Sequence, residues 1–120
     1  MSYLFSFDIP MRLPGLNEYI GLINSNRFKG SAAKKQIESD ISWFMKKHKI
    51  TRPCIIRFIW HEADRRRDKD NVAFAKKFIL DAMQKSGMLE NDNNQYIAGF
   101  RDDFEYGSKC YVRVEVYDAE

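Results

Sequence analysis

The sequence lacks what a membrane protein or a disulfide-stapled miniprotein would need. No apolar run approaches the ~20 residues that span a bilayer, which excludes a transmembrane helix. The opening residues, MSYLFSFDIP, have no basic n-region and no small-residue cleavage site, so they do not read as a secretory signal. Cysteine occurs only twice, at Cys54 and Cys110, both in apolar strand-like runs; this is no disulfide framework and suits a reducing compartment. His48, Cys54, His61 and Cys110 could be drawn together as a zinc site, but no two have the close spacing of a ligand pair. Low-complexity segments, internal repeats and dividing linkers are also missing. A chain of 120 residues with these features is expected to form a single domain, 1–120, around a core of its own.

Charge is plentiful but unevenly spread. Between Arg27 and Arg52 there are eight Lys/Arg against two acids, whereas from Ser86 to Glu120 there are three against eight. A basic front half and an acidic tail half suit a surface that faces a polyanion, although a solvated helix face explains the same asymmetry.

Periodicity orders the chain. Residues 3–9 alternate as a strand, broken by Pro10 and Pro14-Gly15. Asn17 can cap a short helix to about Ile23, and the polar, basic stretch 24–31 reads as a mobile loop. Ile37, Ile41, Phe44 and Met45 share one face of a helix predicted from Ser31 to about Lys49. Residues 54–60, rich in β-branched and aromatic side chains, form a central strand. A second helix is predicted from about Asn71 to Ser86, with Gly87 at the C′ position. Strands over 93–100 and 109–117 follow, with turns at Arg101-Asp102-Asp103 and Gly107-Ser108. The expected fold is α+β: a small mixed sheet of about four strands with two main helices, in the order β-α-β-α-β-β.

The densest chemistry lies at the start of the second helix, in Asp64-Arg65-Arg66-Arg67-Asp68-Lys69-Asp70-Asn71, and in the acidic patch Glu90-Asn91-Asp92. On one continuous helix, Lys77 and Asp81 lie within roughly 20° of Asp70, opposite the apolar stripe of Val72, Ala75, Ile79 and Ala82. Carboxylates that hold a divalent metal, with a lysine as fixed positive charge, supply what phosphodiester hydrolysis needs. Magnesium takes oxygen ligands, usually one or two carboxylates plus waters and substrate oxygens. Each residue also has a plain structural account. Asp68, Asp70 or Asn71 could be the helix cap, Lys77 and Asp81 a surface ion pair, and Asp92 a turn residue.

The run Arg-Arg-Arg-Asp-Lys-Asp-Asn at 65–71, the helix closing on Leu80-Asp81-Ala82-Met83-Gln84-Lys85-Ser86-Gly87, and the acidic turn ending at Asp92 resemble the RusA-like Holliday junction resolvases. Leu13-Pro14-Gly15-Leu16-Asn17-Glu18-Tyr19 extends the resemblance towards the start, so that it covers most of the chain. The resemblance implies a homodimeric, magnesium-dependent endonuclease of the bacterial or phage-infected cytoplasm, resolving four-way DNA junctions by paired symmetric nicks. It carries the acidic trio onto Asp68, Asp70 and Asp92 as catalytic metal ligands. The family's lysine comes four residues after the second aspartate in shorter-helix members, where this chain has Phe74. Three additional residues bring Lys77 there, and the helical face selects Lys77 over Lys76. Asn91 stands where the family has an acid, with Glu90 one residue further back.

On this reading Arg65, Arg66 and Arg67 grip phosphates beside the scissile bond, and Asn17, Arg27, Lys29, Lys34 and Lys35 extend the contact along the DNA arms. Asp81 and Asn71 stand behind the principal residues. Two other readings compete: a branched-DNA-binding architectural module without catalysis, and an enzyme acting on flaps, forks or RNA.

Overall fold

Alternating apolar residues draw four stretches of the chain into one sheet, and amphipathic segments cover one of its faces. The computed structural model describes residues 2–45 and 47–120, and of Arg27 the backbone alone. The elements are β1 (Ser2–Ile9), α1 (Leu16–Ser25), α2 (Arg27–Ser42), β2 (Cys54–Glu62), α3 (Lys69–Ala73), α4 (Lys76–Lys85), β3 (Ile97–Tyr106) and β4 (Tyr111–Asp118). The sheet order is β1-β4-β2-β3; β2 pairs parallel with β3, and the other pairings are antiparallel. The expected α+β class with a small mixed sheet is therefore observed, and β2 is an inner strand. Among the described residues no helix is long and apolar enough to cross a membrane.

Period-two alternation decides which side chains reach the core. Ile56, Phe58 and Trp60 of β2 and Val112, Val114 and Val116 of β4 are buried beneath the helices. Phe78, Ile79, Ala82 and Met83 of α4 pack onto them, and Ile41 and Met45 join from α2 and its exit. Burying side chains of this size at ~25 cal/mol per Å² of apolar surface is what holds sheet and helices together.

Several boundaries differ from the sequence reading. The stretch 24–31 is no loop: α1 runs to Ser25 and α2 begins at Arg27, because the Asn26 side chain accepts from the Phe28 and Lys29 amides at 2.9 and 3.3 Å. That cap makes a one-residue corner possible. The helix predicted to about Lys49 ends earlier: α2 stops at Ser42, and the turn that follows buries Met45 while leaving Trp43 exposed. The helix predicted as one piece from 71 to 86 is two, α3 and α4, parted at Phe74-Ala75. Gly87 does end it in the left-handed conformation, with φ +84°. Arg101-Asp102-Asp103 is not a turn but the middle of β3, since Asp102 and Asp103 find cationic or N–H partners on the two faces of the sheet.

The sheet's other face carries an ion network that crosses all four strands. Arg57 donates to Asp103 (2.6 Å) and Glu115 (2.9 Å), and Arg113 to Glu115 (3.1 Å), Asp8 (3.4 Å) and Ser6 (2.9 Å). Burial pushes the Glu115 carboxyl up, but hydrogen bonds from Tyr117, Arg113 and Arg57 outweigh it, so its pKa falls below the ordinary value. A depressed folded-state pKa gives stability that is present above the unfolded value of 4.5 and lost as pH falls through the folded one. Unfolding free energy is therefore expected to drop as pH falls through the carboxylate range, and less steeply in Glu115→Gln, which cannot titrate. Urea titrations of both proteins across that range check this; identical slopes would refute it.

Candidate functional site

The crossover from β2 to β3 builds the site, because the two strands are parallel and the chain must leave one end of the sheet and re-enter at the other. Arg67, the first anchor after β2, donates through Nε and Nη2 to both Glu62 oxygens at 2.9 and 2.8 Å. Its Nη1 reaches the Leu13 carbonyl at 3.0 Å and Glu18 at 3.3 Å. Arg12 closes the group with two bonds to Glu18, at 3.1 and 2.8 Å, which hold that carboxyl below its usual pKa. The Arg67 side chain is 13% exposed and that of Glu62 9%, so this pair is structural. Arg67 is thereby removed from the expected phosphate-gripping set; its donors are already committed.

Asp68 follows as the N-cap of α3, in extended backbone and without a side-chain cap bond, and Asp70 lies in the first turn. Both are exposed, and among the described residues neither carboxylate has a hydrogen-bond or ion-pair partner. Simple capping therefore does not account for Asp68. Asn71 does cap, but for a different helix. The N-cap of α1 is Gly15, which has no side chain to offer, and the Asn71 Oδ1 accepts from the Asn17 amide at 2.9 Å instead. A Cβ on Gly15 would stand only 2.8 Å from that oxygen, so the position needs glycine for close approach. Asn17 is thus the capped residue rather than the expected cap.

Arg65 and Arg66 remain exposed. The Arg65 guanidinium rests 3.9 Å over the Tyr106 ring, and Arg66 lies 3.7 Å from Asp64. Lys29 and Lys35 are exposed; Lys34 is instead held between Asp81 (3.1 Å) and Glu38 (3.3 Å), which raises its pKa. The side chain of Arg27 lies outside the described residues.

Two expected members do not join Asp68 and Asp70. Lys77 pairs with Asp81 at 3.6 Å and lines a groove between α2 and α4 with Lys34, Lys35, Glu38 and Lys85. The cause is the joint between α3 and α4: Ala75, Lys77 and Phe78 donate to carbonyls three residues back. Turns of ~120° per residue in place of ~100° shift what lies beyond the joint around the axis, so a face read from one continuous helix does not carry across it. Lys76 takes the sheet-facing position instead, donating to Asp102 at 2.7 Å near the rings of Phe58 and Phe100. Asp102 also accepts from the Trp60 indole at 2.9 Å. This pair went unread in the sequence because the alternation Phe100, Asp102, Phe104, Tyr106 was overridden by the turn-like composition of 101–103.

Asp92 sits at the opposite end of the sheet. The acid pair follows the end of β2 at Glu62, beside Trp60 and Val112, which line a pocket with Val72 of α3. Asp92 adjoins Asn93, whose carbonyl accepts from Tyr96 and Ile97, and the Tyr96 carbonyl accepts from Cys54 at the start of β2. The eight steps of β2 between those ends span about 26 Å. Among the described residues, no group of three or more His, Cys, Asp or Glu side chains is gathered for a metal ion. Asp68 and Asp70 still fit a hard divalent cation in donor type, as uncommitted carboxylates, with no third acid gathered beside them among the described residues. The zinc grouping is dispersed too, with Cys54 at one end of β2 and His61 and Cys110 at the other.

Removing a buried ion-pair partner is costly, so Arg67→Ala is expected to lose about 3–5 kcal/mol by stranding Glu62. Arg66→Ala should change stability by no more than about 0.5 kcal/mol. Chemical denaturation of the two variants compares them, and equal stability would overturn the distinction. No family model matches this sequence, and no curated protein is similar to it.

Proposed function

We propose that the chain is a magnesium-dependent, structure-selective endodeoxyribonuclease of the RusA-like kind, cutting four-way DNA junctions by paired nicks as a homodimer. The observation that carries this reading is the pair of exposed, partnerless carboxylates, Asp68 and Asp70, on a rigid support. The Arg67–Glu62 clamp braces them on one side and the Asn71 bond to α1 on the other. Arg65, Arg66 and Lys69 surround them with positive charge for phosphate oxygens. A bound divalent cation supplies charge relief and a more acidic water. The chain's own part is to hold that ion through Asp68 and Asp70, to fix the flanking phosphates, and to do both without rearrangement during the reaction.

The position of Asp92 supports a two-chain form of the site. If three carboxylates meet, the third comes from a second copy lying antiparallel to the first, end against opposite end. A two-fold dimer then has two equivalent sites, which suits paired nicking of a two-fold junction.

Asp70→Asn is expected to lower magnesium-dependent nicking of a synthetic four-way junction about 100-fold or more while junction binding persists. Undiminished cutting by this variant would sink the assignment. Mixing Asp70→Asn with Asp92→Asn tests the shared site. In a mixed dimer one site has all its wild-type acids if Asp92 crosses over, so nicking returns in the mixture; if each chain uses its own Asp92, the mixture stays inactive.

A second reading, a branched-DNA-binding module without catalysis, is favoured by the failure of one chain to collect the three acids. Tight junction binding with no magnesium-dependent nicking in the wild type selects it.

A further inference from the structure

Three aromatic rings stand along one face of β3, the strand at the edge of the sheet. Phe100, Phe104 and Tyr106 share the helix-side face with Asp102, and each ring carries a cation from the crossover segment. Lys76 Nζ lies 4.8 Å from the Phe100 ring, Lys69 Nζ 5.8 Å from Phe104, and the Arg65 guanidinium 3.9 Å from Tyr106. Among the described residues no further strand pairs with the outer edge of β3; Phe100 is 44% exposed, while Phe104 and Tyr106 are half-buried, Phe104 against the core. Of the three cations only Lys76 has a carboxylate partner; among the described residues Arg65 and Lys69 have none. The row therefore offers rings and spare positive charge together.

We infer that this row is a binding track for single-stranded DNA, distinct from the phosphate contacts of a duplex arm. Bases stack on exposed rings whatever their sequence, while phosphates between them take the cations. Along the strand the rings stand about 13 and 7 Å apart, and only unpaired bases can turn their faces to such a row. A duplex keeps its bases stacked on one another and has no faces to offer. Arg65 and Lys69 bracket Asp68, and Lys69 lies between Asp68 and Asp70, so a strand held here passes the acid pair. That last step rests on the nuclease reading; the track itself does not. It assigns a substrate feature, an unpaired stretch at the branch, to residues of β3 that the acid motif does not include.

The experiment measures fluorescence anisotropy of labelled (dT)12 and of a blunt 12-base-pair duplex, at low salt with EDTA, so that no cleavage enters. Wild type is expected to bind (dT)12 more tightly than the duplex. Phe100→Leu and Tyr106→Leu should each weaken (dT)12 binding about fivefold or more, with melting temperatures confirming that both fold. Lys69→Gln should flatten the salt dependence by about 0.7 in log–log slope. Ring-independent (dT)12 binding, or duplex binding as tight as (dT)12 binding, overturns the track even if junctions are cut. Ring-dependent binding without any junction cutting keeps the track and sinks the nuclease reading.

Discussion

Parallel pairing of β2 with β3 is the constraint from which the rest follows. Two parallel neighbours cannot be joined by a hairpin, so the intervening chain has to travel back across the sheet before the second strand can start. That return segment, from Ala63 to Tyr96, contains α3, α4 and nearly every residue that distinguishes this sequence from an ordinary small α+β domain. Because it travels from one end of the sheet to the other, its first acids and its last acid are delivered to different ends. The same geometry that gives α4 a full-length face to bury separates Asp92 from Asp68 and Asp70 along the sheet.

Within that frame the acids are held by polar bonds rather than by packing. Arg67 satisfies Glu62, the Leu13 carbonyl and Glu18 at once, and so ties the end of β2 to the segment before α1. Asn71 then joins α3 to the start of α1. Between these two anchors only Asp68, Lys69 and Asp70 remain, and none of the three is needed to satisfy a buried group. Exposed carboxylates next to spare cations are costly to stability only through weak surface electrostatics, so a fold can keep them for chemistry.

Much of this was legible in the residues. The β-branched run at 54–60 marked the inner strand, Gly87 marked the end of the crossover helices, and the stretch 64–71 marked the polar site between them. What escaped was set by single hydrogen bonds that composition does not register. Asn26 looks like a loop residue, yet its side-chain cap turns a predicted loop into a helical corner. The face expected for Lys77 belongs to one unbroken helix, whereas i→i−3 bonds part α3 from α4. Arg67 could not be told from Arg65 and Arg66 by spacing; only the buried acid opposite it, Glu62, separates their roles. Asp102 and Asp103 read as turn formers because their partners, Trp60, Lys76 and Arg57, are more than 25 positions away.

The helix α1 has no buried residue. It is fastened by the Asn71 bond and the Glu18 carboxylate at its first turn, and by Tyr19 against Phe74 and Phe78. Its far end packs against α2, where Gly30 lets the Ile23 side chain come close, and an element with so little buried surface is held less firmly than the sheet. The support of the acid pair stays with β2 and the Arg67 clamp, so the helix beside it can loosen without melting the frame beneath it.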